Sequence, residues 1–503
     1  MFQEYTINIE SIELADLLEE YMKKYSFLGP LMAVAVPYLI FEAFHLGLFK
    51  DLNIPLPRGH FYMVSLVSIL ASIIAISVGV AGRRIRNIKI SFLSLSFLSL
   101  GLMFSIHGLS TPNFILGVTH LPGIAAQLSI FLATIWTYLS SIPSDHPIVA
   151  FFSKVQRYLL PIWTVTLIFV CLILMMNQRL VHFLPLNAKP LNIILTSVTM
   201  LLNGVTMFHY YQSYRFTRFP LQLAIVYISG WLLVSQLIMV RGVLWSVSWW
   251  IYHFLLLAAM IVMIIGLVKQ YAVKGTLAES IRSLFTNDPF ERITNSMGPS
   301  VKALVTATEK KDTYTAGHTF RVTMYALKLA EELELKPEQL RAIVQGGLLH
   351  DVGKISVPDS VLNKPGKLQP EERALIEKHS VDGYEMCKDL GIMKEELGII
   401  RSHHEKWDGS GYPDGLKGTD IPFFARITAV ADVYDALTSE RSYRKAWAHS
   451  EAIKYIKENK GTHFDPQCVD AWERLCIRNP SVYQYPAQAI KDLPTIRKIS
   501  SIK

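Results

Sequence analysis

The sequence predicts an all-α protein in two parts: a polytopic transmembrane bundle of about eight helices, then an all-helical domain outside the bilayer. Three observations carry this. Apolar runs of about 20 residues, long enough to cross a bilayer core, recur through the first half at roughly 29–49, 61–81, 90–109, 122–142, 158–176, 190–211, 220–240 and 248–269. Charge is distributed very unevenly. Of 49 Lys/Arg and 41 Asp/Glu, residues 1–268 hold 15 and 9, leaving 34 and 32 for residues 269–503. Finally, the second half repeats apolar residues at i, i+3 and i+4 in FRVTMYALKLAEEL (320–333), EQLRAIVQGGLLHDVGK (338–354) and FARITAVADVYDALTS (424–439), the period of a helix with one buried face.

The formal net charge of +8 belongs mostly to the apolar half. That favours positive residues at a membrane surface over a nucleic-acid-binding domain, and no nucleic acid polymer is expected as a partner. The loops after spans two, four and six carry Arg83, Arg84, Arg86, Lys89, Lys154, Arg157, Arg215 and Arg218, whereas the alternate loops hold Lys50, Arg58, Arg179, Lys189 and Arg241. Positive residues mark the cytosolic side, so both termini are expected in the cytosol, in a multi-pass protein of the inner (cytoplasmic) membrane. Tyr210, Tyr211, Tyr214, Trp245, Trp249 and Trp250 near the predicted span ends fit an interfacial aromatic belt. The N-terminus lacks the basic-then-apolar layout of a signal peptide, since Glu10, Glu13, Asp16, Glu19 and Glu20 come first. Cys171, Cys387, Cys468 and Cys476 form no CxxC pair, which excludes a zinc knuckle or disulfide framework and suits a reducing compartment.

Glu42, His45, His107, His120, His209 and His253 lie in or near the spans. Two readings stand: a buried ligand, haem or metal site, because ionisable groups inside membranes tend to be functional, or interfacial histidines satisfied by local hydrogen bonds. On the second reading Glu42 and His45, three apart on one helix face, could simply pair with each other. His107, in SIHGLSTPN at the outer end of span three, is the position where a sensor pocket would open.

The chain therefore divides into a cytosolic amphipathic segment (1–28), a transmembrane sensor domain (29–269), a helical connector (270–297), a catalytic candidate domain (298–485) and a basic tail (486–503). The connector places Leu277, Ile281 and Leu284 on one face, either a dimer seam or a surface packed on the next domain. Asn287-Asp288-Pro289 should interrupt it.

Chemistry concentrates in the second half. His318, His350-Asp351, His379, His403-His404 and Asp432 sit on or beside its helices. Imidazole and carboxylate together suit iron, manganese, nickel or zinc, and the absence of thiolate argues against a structural zinc site. One carboxylate can bridge two such ions, a pair that activates water against a phosphodiester. In HDVGK, Lys354 falls at i+4 from His350 and i+3 from Asp351, expected on one helix face, where it would offset charge on phosphate oxygens.

HDVGK (350–354), HHEKWDGSGYP (403–413), ARITAVADVYDALTSERSYR (425–444) and GTHFDP (461–466), with KPGKL (364–368) ahead of His379, resemble the HD-GYP subgroup of the HD phosphohydrolase superfamily over about residues 297–485. The resemblance implies hydrolysis of cyclic di-GMP to linear pGpG or GMP. It implies one metal held by His318, His350, Asp351 and Asp432, and a second by Asp351 with His379, His403 and His404. Iron or manganese are the leading ions, with nickel or zinc as alternatives. Asp351 and Lys354 become the catalytic pair. Some members of the subgroup hold a third ion through a Glu four residues before the first histidine; here that position is Tyr314, so two ions are expected. Asp312, Lys354, Tyr412, Arg441 and Arg444 become substrate contacts, the two arginines reading guanine. Gly411-Tyr412-Pro413 would shape the pocket or dock a GGDEF-domain protein, or else simply close the fold. Glu405 and Asp408 are expected to fix that loop, and His449 and His463 to be ordinary packing residues. No GGDEF-like or EAL-like sequence is present. A homodimer is expected from the connector stripe. Other cyclic dinucleotides (cyclic di-AMP, cyclic GMP-AMP), and an inactive receptor that only binds them, are the alternatives.

Overall fold

The computed structural model describes residues 27–85, 87–112, 121–143, 146–176, 186, 188–274, 299–312, 317–390, 392–440, 445–480 and 482. The expected N-terminal segment up to residue 26, most of the connector, the basic tail, and His120, Tyr314, Arg441 and Arg444 lie outside the described residues. Among the described residues there is no strand, only isolated bridges such as Asn53 with Ser246. The chain forms two compact units, Met1–Tyr214 with Arg218–Phe285, and Arg215–Thr217 with Thr286–Lys503.

The first unit contains α1 (Leu28–His45), α2 (Pro57–Ile85), α3 (Ile88–Leu109), α4 (Leu121–Ser141), α5 (Pro147–Lys154), α6 (Gln156–Met176), α7 (Leu191–Thr217), α8 (Pro220–Arg241) and α9 (Val247–Lys274). All but α5 are long and apolar enough to cross a membrane, eight in total. The short α5, with proline at its first helical position, was not expected from the sequence, because eight residues carry too little periodicity to stand out from a loop.

Helix α3 lies at the centre. It packs against α2, α4 and α6, while α9 packs against α8, α2 and α1. Burial follows: 78% of the most apolar window of α3 is enclosed, against 11% for α1. The remaining surface of α1, α2 and α6 exposes Leu39, Ile76 and Phe169 among other large apolar residues. Exposed apolar side chains of this kind suit helices that could cross a membrane. Serines let helices in this unit approach closely. Ser94 Oγ donates to the Ala75 carbonyl of α2, and Ser96 Oγ to that of Ala133 on α4. Glu42 does not pair with His45. It takes the guanidinium of Arg241 at the end of α8 instead, because a bidentate arginine satisfies both carboxylate oxygens.

The second unit contains α10 (Pro299–Lys311), α11 (His318–Glu332), α12 (Pro337–Leu349), α13 (Asp359–Leu362), α14 (Pro370–Glu377), α15 (His379–Lys388), α16 (Lys394–Ser402), α17 (Phe423–Thr438), α18 (His449–Glu458) and α19 (Pro466–Arg478). A 3₁₀ turn, Val352–Ser356, follows α12. The apolar stripes read from the sequence meet in a core around Trp472, Tyr434, Tyr325, Leu329 and Val430. A second cluster of Val344, Leu348, Val352 and Ile400 underlies the 3₁₀ turn.

Candidate metal centre

Most of the residues singled out for metal binding stand at helix ends. His318 opens α11, His350 and Asp351 close α12, His379 opens α15, and His403-His404 follow α16; only Asp432 projects from mid-helix, on α17. The 3₁₀ turn corrects one expectation: Asp351 and Lys354 are not on one continuous α-helix with His350. Gly353 explains the break. A Cβ there would lie 1.9 Å from the His379 carbonyl oxygen and 2.6 Å from the Gly383 nitrogen, so only glycine lets this turn rest directly on α15. That contact delivers His379 to Asp351. Lys354 remains beside Asp351 because i and i+3 eclipse in a 3₁₀ turn.

The structure brings all seven residues together. Ligand atoms of His318, His350 and Asp432 lie within 4.8 Å of one another, as do those of Asp351, His379, His403 and His404. Asp351 stands between the groups. Its Oδ2 is 3.4 Å from His350 Nε2 and 3.8 Å from His318 Nε2, and its Oδ1 is 3.4 Å from His379 Nε2. Asp432 Oδ1 is 3.2 Å from His318 Nε2, and its Oδ2 is 3.9 Å from His404 Nδ1.

Four of these rings have a fixed orientation. Nδ1–H of His350 donates to the Gly347 carbonyl at 2.6 Å and that of His379 to Ile376 at 2.6 Å. His403 Nδ1–H is shared between the carbonyls of Ile399 and Ile400, and His318 Nδ1–H donates to Asp435 Oδ2 at 2.7 Å. With the proton on Nδ1, the Nε2 atoms of His350, His379 and His403 present lone pairs to the cavity. His318 Nε2 lies 3.2 Å from Asp432 Oδ1, a proton position that a bound cation would take over. Two consequences test whether cations fit. The Nε2 atoms of His379 and His403 face each other at 3.4 Å, which places two lone pairs in opposition unless a cation lies between. The Nε2 atom of His350 is buried with no hydrogen-bond partner, a costly arrangement without a ligand. The donor set therefore fits bound metal ions.

The electrostatics agree. Burial alone would raise the Asp351 pKa, but Lys354 and the surrounding histidines hold it well below the usual carboxylate range. Burial would lower that of His318, yet hydrogen bonds to Asp432 and Asp435 push it up to about 10. The cavity draws positive charge. Lys354 Nζ donates to Asp351 Oδ2 at 2.7 Å and to Asp312 Oδ2 at 3.2 Å. These carboxylates keep it cationic against the cost of burial. Asp312 thus stands at the site as the counter-charge of Lys354.

Sequence reasoning missed the residues that hold His318. Asp435 accepts from both His318 and Arg321. Glu309 accepts the backbone N–H groups of Gly317 and Thr319 at the start of α11. Asp435 was detectable: it lies one turn after Asp432 on the same helix.

The loop 405–416 closes over the centre. Glu405 accepts from the N–H groups of Asp414 and Leu416, and Asp408 from that of Ser410. A Cβ on Gly411 would lie 2.3 Å from the Lys406 nitrogen and 2.5 Å from Glu405 Cα, so glycine is required for the loop to lie on the chain following His404. The Tyr412 ring sits 4.8 Å from that of His404. His449 bonds the Tyr434 hydroxyl and His463 stacks on Phe464.

A family profile described as an HD domain matches residues 302–468. This segment is an HD domain. The chain is 45% identical over 174 residues to a cyclic di-GMP phosphodiesterase response regulator of Xanthomonas campestris pv. campestris, a match covering 34% of this chain and 46% of that protein. It is 42% identical over 169 residues to 3'3'-cGAMP-specific phosphodiesterase 2 of Vibrio cholerae, covering 33% and 32%. A third match, to a cyclic di-GMP phosphodiesterase of Pseudomonas aeruginosa, is 37% identical over 226 residues and covers 44% and 52%. The chain spans about half the length of these relatives or less.

Proposed function

We propose that this chain is a membrane-embedded, metal-dependent phosphodiesterase that hydrolyses cyclic di-GMP to pGpG or GMP. The observation that carries the reading is Asp351, whose two carboxylate oxygens face two separate groups of imidazoles while Lys354 lies against one of them. His318, His350, Asp351 and Asp432 would hold one ion, and Asp351, His379, His403 and His404 a second, with iron or manganese ahead of nickel or zinc. When bound, the ions supply charge neutralisation at the phosphate and an activated water. Lys354 sits where its ammonium can meet charge on the non-bridging phosphate oxygens. Arg441 and Arg444 would read guanine O6 and N7, as arginine does elsewhere, and Tyr412 would border the substrate.

The loop charges favour both termini, and hence the HD domain, on the cytosolic side of the inner membrane, where a cyclic dinucleotide would be found. A signal received by the membrane helices would regulate turnover through the connector, in a homodimer. A GGDEF-domain protein is the partner expected at the 405–416 loop.

A second substrate reading has specific support. Relatives specific for 3'3'-cGAMP match the HD domain about as well as those named for cyclic di-GMP. Product analysis of the metal-reconstituted full chain against cyclic di-GMP, cyclic di-AMP and cyclic GMP-AMP separates the two. Preferential turnover of cyclic di-GMP is expected. Preference for the mixed nucleotide would replace the substrate assignment, and turnover of none would leave a receptor rather than an enzyme.

A further inference from the structure

The first unit contains a second histidine cluster that the proposed hydrolysis does not use. His60 near the start of α2, His107 near the end of α3 and His253 in the second turn of α9 converge, with one ring nitrogen of each within 4.8 Å of the others. All three are buried, at 2%, 3% and 0% exposure. They come from three helices and meet at one end of the bundle.

Their hydrogen bonds fix where the lone pairs point. His107 Nδ1 lies 2.8 Å from the Pro122 carbonyl oxygen, which can only accept, so Nδ1 carries the proton and Nε2 is bare. His60 Nδ1 lies 2.9 Å from Thr111 Oγ1, whose own hydrogen is given to the Gly108 carbonyl at 2.6 Å. The threonine oxygen is therefore the acceptor, and His60 Nε2 is bare too. These two bare nitrogens face each other at 3.0 Å. His253 adds a third ring, and neither of its nitrogens makes a hydrogen bond of ordinary geometry, the Trp249 backbone being at most a weak partner for one of them. A shared proton would answer the opposed pair but not the third ring. A metal ion answers all three.

We propose that His60, His107 and His253 form a tris-imidazole site for one copper or zinc ion. Hard ions such as magnesium or calcium take oxygen ligands, which this cluster does not offer as carboxylates. Neutral imidazoles suit copper and zinc, and copper stands highest in the affinity order of divalent ions. The Tyr252 hydroxyl, 3.3 Å from His107 Nε2, is the available fourth donor. Trp249 and Trp250, at 5.4 and 6.0 Å from the His60 ring, exclude water, so bound metal would exchange slowly. The site is independent of the HD domain and of its substrate.

The test uses the full chain in detergent micelles, carrying Asp351→Ala and His403→Ala to remove the HD-domain centre. After loading with copper(II) or zinc and desalting, about one equivalent should remain, and electron paramagnetic resonance of the copper form should show hyperfine coupling to several nitrogens. Adding His60→Gln or His253→Phe should remove the ion. Should those variants fail to fold, the spectrum of the background chain decides alone. No retained ion, an all-oxygen copper signal, or an ion that survives both histidine substitutions in folded protein overturns the proposal.

Discussion

In the HD domain five imidazoles share a buried cavity with Asp351, Asp432, Asp435, Asp312 and Lys354. In the first unit three imidazoles share theirs with tryptophans and a tyrosine. Both arrangements orient rings by giving Nδ1–H to a fixed acceptor, and both leave bare nitrogens opposed at 3.4 Å and 3.0 Å. The difference is charge. Carboxylates in the first cluster can bridge ions, and Lys354 beside them can meet a phosphate, so that cluster is equipped for chemistry on an anion. The second has no carboxylate among its three candidate donors, and nothing there can bridge ions or carry a phosphate's charge. Its composition suits holding an ion, not turning over a substrate.

The sharpest way to break this contrast is to remove the bridge. Asp351→Ala should reduce hydrolysis of cyclic di-GMP by the reconstituted chain below detection and lower its iron or manganese content, read by turnover and elemental analysis together. Chelation of wild-type protein should do the same, and re-addition of the metal should restore only the wild type. If Asp351→Ala kept its activity, the bridging role would be lost.

Lys354→Met probes charge without touching a ligand atom. It should lower turnover about 10²–10³-fold, the range seen when a donor to developing charge is removed, while metal content holds. Loss of metal alongside activity would mean that Lys354 acts by stabilising Asp351 and not on the phosphate.

Asp435→Asn probes orientation. The amide oxygen can still accept from one partner, but His318 and Arg321 now share a neutral acceptor, so metal affinity should fall about 10–100-fold. Titration of metal-free protein measures this. An unchanged affinity would show that α11 alone holds His318 in place.

These residues also mark how far the sequence could be read. The eight long apolar helices and the seven candidate ligands were legible because each signal is local: a run of apolar side chains, or a His-Asp or His-His pair beside a turn. Glu309 was not, since a carboxylate that acts by holding backbone N–H groups has no pattern of its own, and Asp435 showed only as a second carboxylate one turn after Asp432, with nothing to mark its partner His318. The tris-imidazole cluster was hidden for a different reason. His107 and His253 stood out only as isolated polar residues in apolar runs, and His60 fell just before the run read as span two. Their meeting depends on the packing of α2, α3 and α9, which no single segment encodes. Glu42 misled by the same logic, since its nearest sequence candidate was His45 while its partner, Arg241, is 199 residues away.

The smallest expected effect decides what the Gly-Tyr-Pro loop contributes. Tyr412 is buried enough that its hydroxyl is held well above the usual phenol range, first by desolvation and then by the carboxylates of Asp432, Glu377 and Asp351. It is therefore a neutral ring against His404 throughout the working range. Aromatic contacts of this kind are worth about 0.5–1.5 kcal/mol, and about 1.4 kcal/mol is a factor of ten. Tyr412→Ala should then cost about two- to tenfold in turnover through a loosened His404, with metal affinity falling in step. Tyr412→Phe keeps the ring and should leave both nearly unchanged if packing is the whole role. A rise in KM for Tyr412→Phe at constant metal affinity would instead assign the hydroxyl to the nucleotide, and would turn the loop from a lid over the ions into part of the substrate pocket.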